Sequence, residues 1–353
     1  MSEPGARWSG HPLVQLTRVR YREFFREPEA VFWVFIFPVL LAAGLGIAFR
    51  NRAADRVGVA VVNAGPGAAE LAGALRRTKE LDVSLLDDSA AVEALRIGNV
   101  AVLVVPSGRQ GVTYRYDDSR PESRSARLLV DDVLQRSAGR GDPVGVREQL
   151  VHEPGARYID FLVPGLLGMN LMGSGIWGLG FAIVDARKKR LLKRLIATPM
   201  SRAQYLASFV LSRLTLLVLE VCLLLGFGVL VFGVPLRGSL PLLLLICLLS
   251  SLAFASLGLL IASRAQTMEG ASGLMNLVML PMWIFSGVFF SASRFPDQIQ
   301  PIIQALPLTA VINALRANML RGAGWHMVAG ELAIIAAWMV GSFLLALRLF
   351  RWR

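Results

Sequence analysis

Charged side chains are scarce in this sequence. Only 18% of its 353 residues are Asp, Glu, Lys or Arg, whereas about a quarter are charged in an average soluble domain. Hydrophobic residues make up 54%. A chain with so little charge is too apolar to be one soluble domain, and its composition predicts a membrane protein.

Three further scarcities exclude particular kinds of site. The three histidines, His11, His152 and His326, are far apart, so no metal site or catalytic triad can be built from their spacing. None of the four lysines follows a glycine, so the Gly-x4-Gly-Lys-Ser/Thr loop that cradles nucleotide phosphates is missing. Both cysteines lie within apolar runs, which indicates no disulfide framework. The sequence therefore predicts no P-loop nucleotide site, no catalytic residues and no metal in this chain.

Long apolar runs are abundant. A hydrocarbon core of ~30 Å takes about 20 apolar helical residues, and six segments meet that requirement: 31–49, about 159–184, 205–232, 240–262, 270–290 and 327–350. With the N-terminus in the cytosol, Lys and Arg number 16 in the cytosolic flanks and 4 in the short outer flanks. The excess of positive charge on one side predicts that both termini are cytosolic, and we expect the chain in the inner membrane of a bacterium.

The remaining long segment, 50–158, has the pattern of a folded domain. Buried-strand and alternating patterns at 57–63, 81–86, 99–106 and 111–117 are interleaved with helical patterns. The order β-α-β-α-β-β-α predicts a small α/β domain. The predicted fold is thus an α-helical integral membrane protein with six transmembrane helices and an extracytosolic α/β domain inserted between the first two.

The N-terminal residues 1–30 precede the first span. Apolar positions alternate with arginines over 8–30, which predicts a cytosolic amphipathic helix on the inner leaflet that ends near Pro28. A disordered basic tail is the alternative.

The densest positive charge lies between the second and third spans, in "RKKRLLKRLIATPMSRAQYL" at 187–206. A basic segment can bind nucleic acid, anchor to a membrane surface or dock a protein. The flanking spans place it in a cytosolic loop, 185–203, so nucleic acid is not the expected partner. Leucines recur among its charges, which favours docking to a protein over charge anchoring alone.

Polar side chains inside spans are functional candidates. Arg213 and Glu220 are seven residues apart in the third span, on one face and ~10 Å apart along the axis. Asn276 lies in the fifth span. Two roles stay open for them: hydrogen bonding between helices of the bundle, or a place in a translocation pathway. Seven small residues in the second span permit close helix approach, including at a subunit interface.

Prolines interrupt the segment that precedes the last span. Residues 285–320 are partly apolar, but Pro296, Pro301 and Pro307 prevent one continuous helix. We expect an outer re-entrant hairpin over 285–320, the hairpin segment, that ends in an amphipathic helix at 308–320.

Four motifs in this order resemble the permease subunit of an ABC-2-type ABC transporter. They are "FPVLL" in the first span, "LLKRLIATPMSRAQYLASFVLSR" (191–213), "FSGVFF" (285–290) and "LPLTAVINALR" (306–316). The resemblance covers most of the chain. It implies six helices per subunit, dimerisation as a homodimer or with a related permease, and a separate ATPase subunit that binds ATP and Mg²⁺.

The resemblance also assigns roles to residues. The loop 185–203 would couple to the ATPase through Lys189, Leu192, Lys193, Arg194, Leu195, Thr198 and Pro199. The outer hairpin would depend on Gly287, Pro296, Pro307 and Arg316. The expected function is the permease of an ATP-driven exporter of an amphiphilic or hydrophobic substrate. The alternative is a membrane-anchored sensor or scaffold whose extracytosolic domain binds a ligand or partner.

Overall fold

The computed structural model describes residues 12–49, 56–65, 67–107, 111–141, 155, 157–188, 202–265 and 267–349. The chain divides into two compact units. The helical unit combines Met1–Arg50 with His152–Arg353, and the α/β unit is Asn51–Val151.

Long helices dominate the helical unit, and shorter ones connect them. In chain order they are α1 (Pro12–Arg26), α2 (Pro28–Val31), α3 (Phe37–Ala48), α7 (Tyr158–Lys188), α8 (Arg202–Phe232), α9 (Leu240–Arg264), α10 (Met268–Phe285), α11 (Gln300–Ala305), α12 (Pro307–Arg321) and α13 (Ala329–Leu349). One π-helical turn, Phe32–Ile36, joins α2 to α3.

Five helical segments are long and apolar enough to cross a membrane within the described residues: Pro28–Ala48, Tyr158–Asp185, Leu211–Phe232, Leu240–Arg264 and Trp325–Leu349. They correspond to five of the six predicted spans. The other prediction, about 270–290, falls on α10, which has 18 residues and is not among the five. At 1.5 Å per residue α10 is ~27 Å long.

The first span follows closely after the N-terminal helix of the described residues. Helix α1 covers Pro12–Arg26 and packs against α8. Helix α1 ends at Arg26, near Pro28 as predicted, and Pro28 is the first residue of the next helix and of the candidate span Pro28–Ala48. A proline is well tolerated there, since the first helical residues have no intrahelical acceptor for their N–H groups.

Helix α7 lies at the centre of the helical unit and contacts α3, α8, α9, α10 and α12. Its glycines make these contacts close. A Cβ atom on Gly175 would lie 2.7 Å from Cβ of Phe254, and one on Gly258 of α9 would lie 2.5 Å from the oxygen of Ile176. The glycines thus allow α7 and α9 of the same chain to pack closely, as the sequence predicted for the second span.

Helix α12 corrects one expectation. The sequence predicted an amphipathic helix at 308–320, but α12 is buried on most sides by α7, α9 and α13. Asn313 and Arg316 are among its few partly exposed residues. Eleven of its 15 residues are buried, so α12 is an element of the bundle core.

The α/β unit is a four-stranded sheet with helices on both faces. Its elements are β1 (Val57–Val62), α4 (Ala68–Arg76), β2 (Leu81–Leu86), α5 (Asp88–Arg96), β3 (Val102–Ser107), β4 (Gly111–Arg115) and α6 (Pro121–Ser137). This is the predicted order. The strand order is β2-β1-β3-β4, with β4 antiparallel to β3 and the other pairs parallel.

Two apolar layers stabilise this unit. Val59, Val61, Val102 and Val104 face the layer that α4 and α6 cover. Residues on the other face, including Ala60 and Leu103, pack with α5. Alternate residues of a strand point to opposite faces, and β1 and β3 are apolar at both sets of positions because both of their faces are covered.

Candidate functional site

A network of four polar side chains joins α7, α8 and α9 inside the helical unit. Arg213 Nη1 lies 3.3 Å from Glu220 Oε1, and Arg213 Nη2 donates to Ser174 Oγ at 2.6 Å. Ser174 Oγ in turn donates to Glu220 Oε2 at 3.0 Å. Arg213 Nε donates to Ser251 Oγ on α9 at 3.3 Å. The pair that the sequence placed on one face of the third span is thus in direct contact, and it is bound to both neighbouring helices.

The two charges of this network differ in exposure. The Glu220 side chain is 0% exposed, and that of Arg213 is 24% exposed. Side chains of a helix point toward its N-terminus, yet Arg213 extends toward Glu220, seven residues nearer the C-terminus. The opposite charge and the serine acceptor outweigh that preference. A buried carboxylate is costly unless it is paired and hydrogen-bonded, and Glu220 has both kinds of partner.

Asn276 does not lie in this network. It is exposed on α10. Sequence reasoning missed the asparagine that does bond between helices, Asn170 of α7, whose Nδ2 donates to the carbonyl oxygen of Val34 at 3.2 Å. Two signals in the sequence could have identified it: Pro38 removes the N–H group that would reach Val34 four residues earlier, and Asn170 is a rare polar residue in the second span.

The second polar site is Arg316 of α12. Its Nη2 donates to the oxygen of Gly287 at 2.6 Å and to the oxygen of Phe161 at 3.0 Å, and its Nε donates to the same Phe161 oxygen at 3.3 Å. The guanidinium carbon is 3.5 Å from the centre of the Phe161 ring. Arg316 therefore connects α12 to α7 and to the turn that follows α10. We call these contacts the Arg316 clasp.

Neighbouring contacts hold the same turn. Gly287 has φ +81, a conformation that favours glycine. Tyr158 Oη donates to the oxygen of Phe289 at 3.0 Å, and a Cβ atom on Gly165 would lie 2.5 Å from the oxygen of Val288. Burial lowers the pKa of the Arg316 guanidinium to about 9, so it carries its positive charge at neutral pH.

The prolines of the hairpin segment lie where short helices begin. Pro296 precedes the 3₁₀ turn Asp297–Ile299, and Pro307 is the first residue of α12. Gly287 and Arg316 are in contact, Pro307 is buried at the start of α12, and Pro296 is a residue of the connection before α11. The seven predicted coupling residues, which fall at 189 and within 192–199, lie outside the described residues.

Helices of membrane length, packed around buried polar contacts, define a polytopic membrane protein. The family comparison gives the particular class. A family described as "ABC-2 family transporter protein" matches residues 29–348. The chain belongs to this family.

Individual relatives agree with the family. The chain is 29% identical over 191 residues to ABC transporter G family member 20 of Dictyostelium discoideum, covering 53% of this chain and 26% of the relative. It is 29% identical over 173 residues to the inner membrane transport permease YhhJ of Escherichia coli, covering 49% and 46%. It is 21% identical over 342 residues to the probable multidrug ABC transporter permease YbhS of E. coli, covering 88% and 91%.

The extent of these matches differs. The chain spans about a quarter and about half of the first two relatives' lengths, and nearly all of YbhS. The partial matches align this chain with portions of longer proteins. The match to YbhS extends over both units of the chain.

Proposed function

We propose that the chain is the permease subunit of an ATP-driven exporter in the inner membrane of a bacterium. Its six spans, α10 included, form the translocation path, both termini are cytosolic, and the α/β unit is extracytosolic. The observation that carries this proposal is the family match over residues 29–348 on a bundle of membrane-length helices. The positive-inside distribution of Lys and Arg supports the orientation.

The energy comes from a separate ATPase subunit that binds ATP and Mg²⁺. Lys189, Lys193 and Arg194 contact it electrostatically, while Leu192 and Leu195 fill an apolar groove on its surface. Thr198 and Pro199 end the coupling helix before α8. The loop connects α7 to α8. A displacement of the loop therefore reaches α8, which carries Arg213 and Glu220, and α7, whose Ser174 bonds to both of them. Two permease subunits, identical or related, assemble with two ATPases.

The substrate is amphiphilic or hydrophobic, such as a drug or a lipid. Two names among the relatives support this class: YbhS is called a probable multidrug permease, and a Bacillus subtilis relative, 26% identical over 174 residues, is called a linearmycin resistance permease. Arg213, Glu220 and Asn276 are the polar residues that we assign to the path or its immediate support.

Co-purification tests the proposal. The full chain is captured from its native membrane, identified ATPases that accompany it are reconstituted with it in lipid, and ATP hydrolysis is measured. The variant Lys193→Glu with Arg194→Glu is expected to lose most ATPase binding and coupled hydrolysis. Arg77→Glu with Lys79→Glu is the matched control, because it reverses the same two charge types on exposed residues of the α/β unit. The docking role would be contradicted if the two variants lost ATPase binding equally, or if neither variant lost it.

A second candidate function is a membrane-anchored sensor or scaffold. The observation that favours it is the α/β unit, which has its own apolar core. A sensor would bind a ligand or partner through this unit and would need no ATPase. Failure to recover any ATP-hydrolysing partner with the intact chain, together with capture of a ligand by the α/β unit, would favour this function over export.

A further inference from the structure

The Arg316 guanidinium is a buried cation whose partners are all neutral. Its acceptors are the oxygens of Gly287 and Phe161, and its ring contact is also with Phe161. Among the described residues, no carboxylate lies within 4.0 Å of it. The nearby buried acid of α7, Asp160, accepts instead from Arg157 Nη2 at 2.8 Å and from Arg157 Nε at 3.0 Å. The positive charge of Arg316 is therefore not neutralised.

A buried charge of this kind attracts an anion strongly. Carbonyl groups satisfy hydrogen bonds but leave the charge in a medium of low dielectric, where a counter-ion is worth much more than in water. Arginine presents its N–H groups as a planar fork that fits carboxylate and phosphate oxygens. Nη1 carries two of these N–H groups, and neither is used in the contacts to Gly287 and Phe161.

Hydrogen-bond donors without acceptors lie in the elements that flank the clasp. Trp283 Nε1 and Ser286 Oγ, at the end of α10, are buried with no hydrogen-bond partner among the described residues. Ser286 directly precedes Gly287. Thr309 Oγ1 is also buried without a partner, and it lies seven residues before Arg316, on the same face of α12. An indole N–H can only donate, and hydroxyl groups can donate, so an oxygen-rich anion is the ligand that this set lacks.

We propose that Arg316 recognises the anionic headgroup, a carboxylate or a phosphate, of an amphiphile that passes the hairpin segment. The headgroup displaces the carbonyls of Gly287 and Phe161 from the guanidinium and accepts from Ser286 or Thr309. The turn after α10 then keeps the Tyr158 bond and the packing of Val288 on Gly165 but loses its bond to Arg316, so binding of the anion also loosens the clasp. This inference rests on the proposed function and narrows its substrate to anionic amphiphiles.

A binding experiment on the full chain tests this without an ATPase. The chain is placed in phosphatidylcholine nanodiscs and titrated with four amphiphiles of one chain length: dodecanoate, dodecyl phosphate, dodecylphosphocholine and dodecyltrimethylammonium. Tryptophan fluorescence and thermal unfolding report binding. We expect the two anions to bind at least roughly tenfold more tightly than the other two. Equal affinity for all four would overturn the proposal.

Variants assign the preference to Arg316. Arg316→Gln keeps hydrogen-bond donors but removes the charge, and it should abolish the preference for anions. Arg294→Gln is the matched control, because Arg294 is an exposed arginine of the same hairpin segment, and it should keep the preference. An unchanged preference in Arg316→Gln would contradict the assignment.

A second variant keeps the proposal testable if Arg316→Gln fails to fold. Thr309→Val removes a buried hydroxyl that has no partner among the described residues, so in a purely structural role it leaves stability unchanged or higher. We expect it to fold and to weaken anion binding by roughly threefold to tenfold. Normal anion binding in this variant and in Ser286→Ala would exclude both hydroxyls and overturn the proposed binding set.

Lipid composition distinguishes two sources of the anion, a membrane phospholipid and an exported molecule. If a membrane phospholipid is the natural ligand, nanodiscs with phosphatidylglycerol will stabilise the wild-type chain, but not Arg316→Gln, and added amphiphile will have no further effect. If the ligand is an exported molecule, added amphiphile will act in both lipids and will stimulate the ATPase complex. Failure to find an ATPase would overturn the proposed export function but leave the nanodisc result to decide the role of Arg316.

Discussion

The side-chain amide of Asn170 donates to the main-chain oxygen of Val34 across 3.2 Å, and this bond joins α7 to the first span. Val34 is four residues before Pro38, and proline has no N–H group to donate to it. The local π-helical turn Phe32–Ile36 accompanies the same disruption. In a membrane interior every free carbonyl needs a partner, and α7 supplies one here.

Replacing Asn170 should therefore leave the Val34 carbonyl of the first span without its hydrogen-bond donor. We expect Asn170→Leu to lower the free energy of unfolding by about 1 kcal/mol, as measured by denaturant titration in detergent. In the Pro38→Ala background the cost should be much smaller, because the alanine provides the missing N–H group. Asn276→Leu, at an exposed asparagine, is the control. Equal costs of Asn170→Leu in both backgrounds would show that the bond does not serve Val34.

The Arg213–Glu220 pair permits a test that separates structure from transport. Arg213→Gln leaves the Glu220 carboxylate buried without its counter-charge and should cost about 3 kcal/mol. Arg213→Met with Glu220→Met removes both charges and should recover stability to within about 1 kcal/mol of wild type. Thermal unfolding in detergent measures both. A double variant no more stable than Arg213→Gln would contradict this account.

Transport by the stable double variant then decides between the two roles considered for the pair. Normal transport would make it a bond between helices of the bundle and nothing more. Loss of transport in a folded double variant would assign it to the path or to coupling. Thermal unfolding and transport are measured on the same purified preparation, before and after its reconstitution, so a folding defect cannot be mistaken for a transport defect.

Close packing at glycine gives a third prediction. A Cβ atom on Gly258 would meet the main-chain oxygen of Ile176 at 2.5 Å, and a main-chain atom of a central helix cannot move aside cheaply. We expect Gly258→Ala to cost about 2 kcal/mol by forcing α9 away from α7. Gly273→Ala, where a Cβ atom meets nothing within 4 Å, should be neutral or stabilising. Equal thermal stability of the two variants would contradict the packing argument.

The α/β unit provides a pH-dependent prediction. Burial, and then the hydrogen bond to Asp131 at 3.0 Å, raise the pKa of Tyr114. The folded state therefore keeps the phenol proton to higher pH than the unfolded chain, whose tyrosines ionise near pH ~10. This contribution to stability is complete below pH ~10 and is lost as pH rises above it.

Tyr114→Phe should lower stability by about 1 kcal/mol at neutral pH and reduce the decline of the melting temperature above pH ~10. Tyr116→Phe, at an exposed tyrosine two residues further on, should leave both quantities unchanged. Thermal unfolding of the full chain between about pH 8 and pH 11 provides the comparison. A decline at high pH that is the same in Tyr114→Phe and wild type would assign it to another group.

Features with a local cause were predictable from the sequence. A run such as 240–262 predicts a span because hydropathy sums along the chain, and the structure has α9 at Leu240–Arg264. Period-two and period-3.6 patterns predicted the order of strands and helices around Val57–Val62 and Val102–Ser107. Arg213 and Glu220 were assigned to one face by counting residues. Each inference needed only the geometry of one element.

Tertiary structure decided the features that depend on which helices are neighbours. Nothing in the pattern at 308–320 reveals that α12 is covered on most sides, because burial is determined by the helices around it. The partner of Val34 comes from residue 170, and the acceptors of Arg316 are main-chain oxygens at residues 161 and 287. A main-chain oxygen has no residue type, so no sequence pattern marks it as an acceptor, and only the packed bundle determines which carbonyls a buried side chain can reach.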